Sequence, residues 1–322
     1  MMNLILKSIF AKAILLGLIL MMLVSLTGCG STNKTTAPQA PAAEIKMTDA
    51  EKAAFASYYV DANWLKNNLN NVIILDARKD VAYKLGHVPG ALNVTWQSLS
   101  NMKPKQGEIG WAVVLAPEQL AEKLGALGID GSKTVVVYND PSGLGEEGRV
   151  LWMLRFIGLT NSKMLNGGYP AWKAAAGEVS METPKVTPVQ FKEIKPDSSL
   201  IATTEYIQQN KGKIKLLDTR SPEEYAGKDD HGEKQRGRIP GAIHLNYSDL
   251  YRADGTIKPI PELKEMFKKV GLTPEDDIVV YCTAGIRSGF ATEILRMTGY
   301  QKAKNYNASY SEWVGTDLPI EK

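Results

Sequence analysis

TVVVYND at residues 134–140 and DIVVYCT at 277–283 are one stretch written twice. Each is a short β-branched run that ends in Tyr and turns polar, the pattern of a buried parallel strand. The likeness continues outward in both directions. Downstream, NGGYPAW (166–172) matches NASYSEW (307–313), with Asn, Tyr and Trp in register. Upstream, GHVPGALNV (86–94) matches GRIPGAIHL (237–245), and VDANWLKNNLNNVIILDAR (60–78) matches TTEYIQQNKGKIKLLDTR (203–220). Four matches in one order, more than 100 residues apart, describe a duplicated domain and not a solenoid of short repeats.

Between these strands lie helical stretches: PEQLAEKLGALGI (117–129), RVLWMLRFIGL (149–159), IPELKEMFKKVGL (260–272) and FATEILRMTGY (290–300). Prolines or polar residues open several of them and Gly closes them. Strands alternating with helices predict an α/β fold, here two small parallel sheets with helices on both faces. The predicted boundaries are 55–180 for the first copy and 200–322 for the second. A linker at 181–199, METPKVTPVQFKEIKPDSS, carries three prolines and no periodicity.

The formal net charge is +3, and Lys7 and Lys12 of the leader account for two of those positive charges. The remaining 36 basic and 35 acidic residues give no footprint for nucleic acid. In the leader, an apolar run from Ala13 to Val24 follows the two lysines and ends in Leu26-Thr27-Gly28-Cys29. This is the form of an export signal, residues 1–28, and is short for a membrane-spanning helix. LTGC resembles the bacterial lipoprotein box, which makes Cys29 the lipidated first residue of the mature chain; the alternative is an uncleaved N-terminal anchor. Either way the body is expected outside the cytoplasmic membrane, joined to it by a flexible Ser-, Thr-, Ala- and Pro-rich tether over 29–54.

The chain has two cysteines, so lipidation of Cys29 leaves Cys282 unpaired. An unpaired thiol in an exported protein is a candidate reactive group, with an inert buried Cys as the plain alternative. Its place favours chemistry. In open α/β sheets ligands bind beyond the carboxyl ends of the strands, and Cys282-Thr283-Ala284-Gly285-Ile286-Arg287-Ser288 follows such a strand and leads into a helix. A loop of this kind gathers backbone N–H groups around an anion. Gly285 permits the turn, Arg287 adds a permanent cation, and the thiol pKa is expected to fall.

After the tether, the chain resembles the tandem-domain rhodaneses in its LLDTRSPEEY, GRIPGA, VVYCTAGIRS and YNASYSEW segments. The resemblance implies that Cys282 takes sulfur from a donor such as thiosulfate and passes it to cyanide or a thiol through a persulfide. Thr283, Ala284, Gly285, Ile286 and Ser288 would hold the persulfide, and Arg287 would orient the donor. Related cell-cycle phosphatases have five residues between Cys and Arg; four stand here, which favours sulfur over phosphate. Thr283 and Ala284 match neither the mercaptopyruvate-using pattern nor the basic pair of many tandem thiosulfate enzymes. Arg236 and Arg238, ahead of the Ile239-Pro240-Gly241-Ala242 turn, could supply the missing charge, or could be solvated. Asp218 and Arg220 would brace the loop, and Trp313 would be a pocket wall or core. A surface sulfur carrier with little turnover is the reading from a different functional class.

In the first copy Asn139 replaces the Cys and acidic residues follow, so that domain is expected to be inactive and to wall one side of the pocket. Arg149 and Arg155 could add charge at that interface, with surface ion pairs as the plainer expectation. Three His and one free Cys show no metal spacing, and no cofactor is expected.

Overall fold

The computed structural model describes residues 46–322. The export signal, Cys29 and the tether up to residue 45 lie outside the described residues. Helix α1 (Asp49–Tyr58) opens the chain, capped by Thr48 and Glu51 in a reciprocal box. Its start falls inside the span expected to be tether, and that boundary is corrected. The helix docks because Met47, Ala54, Phe55 and Tyr58 pack on a core cluster drawn from both copies, and Glu51 meets Lys264 of the second at 2.9 Å.

The first copy then runs β1 (Tyr59–Val60), α2 (Ala62–Asn68), β2 (Val72–Asp76), α3 (Asp80–Lys84), β3 (Leu92–Asn93), α4 (Pro117–Ala126), β4 (Thr134–Tyr138), α5 (Glu146–Phe156), β5 (Ser162–Leu165) and α6 (Gly168–Ala174). The second copy repeats the order: β6 (Ile201–Ala202), α7 (Thr204–Gln209), β7 (Lys215–Asp218), α8 (Pro222–Tyr225), β8 (Ile243–His244), α9 (Ile260–Lys269), β9 (Ile278–Tyr281), α10 (Ile286–Met297), β10 (Lys304–Tyr306) and α11 (Ser309–Gly315). Both sheets have five parallel strands in the same order, β1-β5-β4-β2-β3 and β6-β10-β9-β7-β8.

The central strands bury both faces, as their unbroken apolar runs require. Val135 and Val137 of β4 point into one core layer, and Val136 and Tyr138 into the other. In β9, Ile278 and Val280 divide from Val279 and Tyr281 in the same way. This is the period of two expected of a strand. Residues 181–197 form neither helix nor strand. They run along the first copy, where Val189 N–H donates to the Gly125 carbonyl at 2.9 Å.

The copies share a core. Tyr59, Leu151 and Met164 of the first belong to the same buried cluster as Leu263, Phe290 and Ile294 of the second. Its centre is the crossing of α5 and α10, where glycines let the backbones approach. A Cβ on Gly148 would stand 2.6 Å from the Phe290 Cα, and one on Gly289 would stand 3.3 Å from the Arg149 Cα. Helix α5 starts at Glu146 and α10 at Ile286, earlier than the hydrophobic periodicity of 149–159 and 290–300 predicts. Ile286, Arg287 and Ser288 are therefore the first turn of α10, and only residues 282–285 form the loop.

Candidate active site

Each β2-type strand ends in Asp-x-Arg, and the structure shows why. Asp218 accepts from its own Arg220 at Nε (3.0 and 3.1 Å) and Nη2 (2.7 Å), and from the Arg220 amide at 3.0 Å. Arg220 also donates to the Gly237 carbonyl at 2.7 Å and lies over the Tyr310 ring at 4.1 Å. Both partners are buried. The pair thus ties the ends of β7, the GRIPGA turn and α11 together beside Cys282. Asp76 and Arg78 repeat it in the first copy, Arg78 reaching the Gly86 carbonyl at 2.7 Å. In both copies the pair braces the strand end and the turn that follows it.

Cys282 leaves the C-terminal end of β9 fully enclosed, 1% exposed. The chain turns at Gly285, whose φ of +81° makes it the left-handed N-cap of α10. A side chain there would press into the Asn307 carbonyl and approach Arg149 Nη1 at 2.9 Å. The turn aims amides back at the thiol: Gly285 N–H donates to Sγ at 3.1 Å, and the amides of Ala284 and Ser288 also act on it. Ser288 Oγ lies 3.5 Å from Sγ but 2.7 Å from Asn305 Oδ1, so its single proton is committed to Asn305. Burial pushes the Cys282 thiol up, but the Arg287 charge and these donors outweigh it, and the net shift is downward.

Arg287 is engaged by a carboxylate. Its Nη1 and Nη2 meet Glu224 Oε2 and Oε1 at 2.6 and 2.8 Å, and Nη2 also reaches Thr283 Oγ1 at 2.8 Å. A bidentate fork of this kind is strong and directional. It holds Glu224 down to about 2 against its desolvation and clamps the loop to α8. Thr283 Oγ1 in turn donates toward Glu233 Oε1 at 2.8 Å. The residues 282–288 are thus brought together around the thiol, while the expectation that Arg287 orients a donor is revised.

Arg236 and Arg238 are not brought to it. Arg236 Nε pairs with Asp230, and Arg238 lies over the Tyr225 ring at 4.7 Å with Glu321 at 3.6 Å. The cause is the backbone: Arg238 bridges to Glu321, which turns this segment toward the C-terminal tail. Trp313 is core, donating to the Pro319 carbonyl at 2.8 Å. It also edges a separate apolar cavity of about 620 Å³ beside Ile207, Leu216, Ile239 and Leu318. Arg149 is no surface residue: it is completely buried and points across the domain boundary to the Gly285 carbonyl. Arg155 stacks on Tyr58 and lies 3.5 Å from Glu293.

Residues that the motifs did not single out complete the site. Ser309 accepts from the Cys282 amide at 3.1 Å and donates to the Tyr306 carbonyl at 2.7 Å, with a left-handed φ of +59°. In the first copy Gly168 stands there with φ +57°. The pairing of Gly with Ser in NGGYPAW and NASYSEW was the available signal. At the matching position of the first copy, Asn139 Nδ2 donates to Glu146 Oε2 at 2.5 Å, and Glu146 also accepts from Leu144 N–H. That copy has closed its loop with a carboxylate where the other presents a thiol. Among the described residues no group of three or more His, Cys, Asp or Glu is placed to hold a metal.

The profile of the rhodanese-like domain matches twice, over residues 61–175 and 203–316. The chain belongs to the rhodanese family. As a tandem rhodanese it is similar to the sulfur carrier protein TtuD of Thermus thermophilus, 30% identical over 280 residues, 82% of this chain and 96% of that protein. A thiosulfate sulfurtransferase of Pseudomonas aeruginosa is 32% identical over 78% of this chain and 91% of its own. One from Corynebacterium glutamicum is 30% identical over 84% and 92%. Among solved structures, wild-type EanB superposes with a TM-score of 0.75 at 23% identity, over 84% of this chain and 71% of its own. The likeness to EanB is one of fold.

Proposed function

We propose that this rhodanese is an exported, lipid-anchored thiosulfate sulfurtransferase with Cys282 as its sulfur-bearing group. Sulfur transfer is the activity that the two rhodanese domains and the named sulfurtransferase relatives support. The observation that carries the finer reading is the ring of amides closed on Sγ, with Gly285 N–H at 3.1 Å. The Cys282 thiolate attacks the outer sulfur of thiosulfate. A new S–S bond forms, the S–S bond of thiosulfate breaks, and sulfite leaves with its electron pair. The terminal sulfur of the Cys282 persulfide then carries the negative charge, which the amides of Ala284 to Ser288 and the N-terminus of α10 stabilise. Cyanide or a thiolate attacks that sulfur, and the Cys282 thiolate departs as leaving group. No net oxidation occurs, and no further group is required.

Localisation rests on the leader alone: the basic start, the short apolar run and Leu26-Thr27-Gly28-Cys29 support export and lipidation of Cys29.

The test of the donor compares thiosulfate with mercaptopyruvate on the full chain, with cyanide as acceptor. The specificity constant for thiosulfate is expected to be the larger by at least about tenfold, a difference of about 1.4 kcal/mol. The reverse order would overturn the donor assignment. The similarity to a sulfur carrier and the enclosure of Cys282 favour one other reading, delivery of sulfur to a partner with little turnover. It predicts stoichiometric sulfur loading and no steady-state release of thiocyanate.

A further inference from the structure

A buried cation is ordinarily paired with a buried anion, because taking an unpaired charge out of water is costly. Arg287 meets this rule through Glu224, and Arg220 through Asp218. Arg149 does not. It is fully buried, and no carboxylate lies within 4.0 Å of it among the described residues. Its partners are three neutral oxygens: the Gly285 carbonyl at 3.1 Å, the Ala112 carbonyl at 3.0 Å, and Asn307 Oδ1 at 3.4 Å. Its Nε has no partner, and the guanidinium stacks on the Trp152 ring at 4.7 Å.

We propose that Arg149, carried by the copy that lacks a nucleophile, is a positioning residue of the sulfur-transfer site: it is the counter-charge of the Cys282 thiolate, and it fixes the outward turn of the Gly285 carbonyl. The proposal rests on Cys282 being the sulfur-bearing group.

The geometry argues both halves. In a trans peptide the C=O and the following N–H point in opposite directions. Arg149 Nη1 and Asn305 Nδ2, at 3.1 and 3.2 Å, join the Gly289 N–H, at 3.1 Å, in holding the Gly285 carbonyl on the side away from the ring. The Ile286 N–H is thereby turned the other way, and α10 starts with its open amides directed at the thiol. The Ala112 carbonyl that anchors the guanidinium comes from a residue held at a left-handed φ of +59°. On the charge side, burial pulls Arg149 down to about 9, and the one group that opposes this is Cys282. The guanidinium remains charged at neutral pH, and it bonds the carbonyl of the same Gly285 whose N–H donates to Sγ at 3.1 Å.

The duplication explains how the residue came to serve the other copy. Gly158 and Gly299 end α5 and α10 with φ of +104° and +106°. Counting nine residues back from each places Arg149 against Phe290. The two side chains project across the helix crossing in opposite directions, Arg149 onto Gly285 and Gly289, Phe290 onto Gly145 and Gly148. The silent copy thus lends a cation to the thiol loop, and the active copy returns an apolar ring.

The groups facing Cys282 are Arg287 on α10, Arg149 on α5, Glu224 on α8, and Tyr247 from the segment after β8, with Glu233 against Thr283 and the Asp218–Arg220 pair behind. The test is the pH dependence of Cys282 alkylation by iodoacetamide, measured on the full chain without substrate. Arg149→Met keeps the bulk and removes the charge. Its alkylation midpoint is expected to rise by about one pH unit or more, so that the rate below the midpoint falls about tenfold. Arg149→Lys is expected to recover most of the midpoint, but less of kcat, since it lacks the fork. A role confined to packing would lower thermal stability and leave the midpoint where it is. A folded Arg149→Met with the wild-type midpoint overturns the proposal. If Arg149→Met does not fold, Arg149→Gln and Arg149→Lys are compared, and equal midpoints overturn it. Failure of the underlying reading is separate: wild-type protein would then take up no sulfur from thiosulfate, whatever its midpoint.

Discussion

Cys282→Ser is expected to reduce sulfite release from thiosulfate by at least about 10³-fold, with the fold unchanged. The substitution keeps the size of the side chain inside a site that is 1% exposed, so packing is preserved. What it removes is an atom that ionises in reach of neutral pH. The amide ring and Arg287 lower a thiol from an already accessible value, whereas the same environment cannot bring an alcohol into range. An oxygen also cannot form the S–S bond on which transfer depends. The matched substitution in the first copy, Asn139→Ala, leaves the rate unchanged, because Asn139 serves only to close its loop onto Glu146. Circular dichroism and thiocyanate formation, measured on both variants, check the pair. A Cys282→Ser protein that still released sulfite in the presence of cyanide would remove Cys282 from the mechanism.

Glu224→Ala is expected to be the most damaging change to stability among the site residues that do not carry sulfur. It strips a buried guanidinium of both hydrogen-bonded oxygens, at 2.6 and 2.8 Å. Removing one member of a buried pair costs about 3–5 kcal/mol, since the remaining charge stays uncompensated. Thr283 loses its contact with Glu224 as well, so the loop is released and turnover falls with stability. The same pair sets a pH dependence. In the folded state Glu224 is held down to about 2, from an ordinary value of 4.5. Its contribution is therefore fully present above pH 4.5 and is lost as pH falls toward 2. Denaturant midpoints across that window should decline steeply for the wild type and less for Glu224→Ala. Parallel declines would mean that Arg287 is held by something else.

The duplicated strands made the fold legible: β4 and β9 fall where TVVVY and DIVVY place them, and both sheets follow from alternation with helices. Helix starts were harder to read, because Glu146 and Ile286 open their helices with residues that also form the anion loop, ahead of any apolar period. The start of α1 at Asp49 was hidden for a related reason: Asp49–Tyr58 is weakly amphipathic, and what fixes it is the core cluster that both copies share. Cys282, its Gly turn and the Asp-x-Arg pair were visible in spacing and repetition. Glu224 and Ser309 were not, because they act through contacts over long sequence separations, and Arg149 was legible only as a charge near the boundary between the copies. Arg236 and Arg238, read as either site charges or solvated residues, are not at the thiol. They lie next to the right turn in sequence, but the Arg238–Glu321 bridge carries them away from the thiol.

The most direct measurement is the intact mass of the protein after incubation with thiosulfate and removal of excess reagent. One additional sulfur, about 32 Da, is expected on the peptide containing Cys282, discharged by cyanide and absent from Cys282→Ser. A protein that gains no mass, or gains it at another residue, would contradict the account.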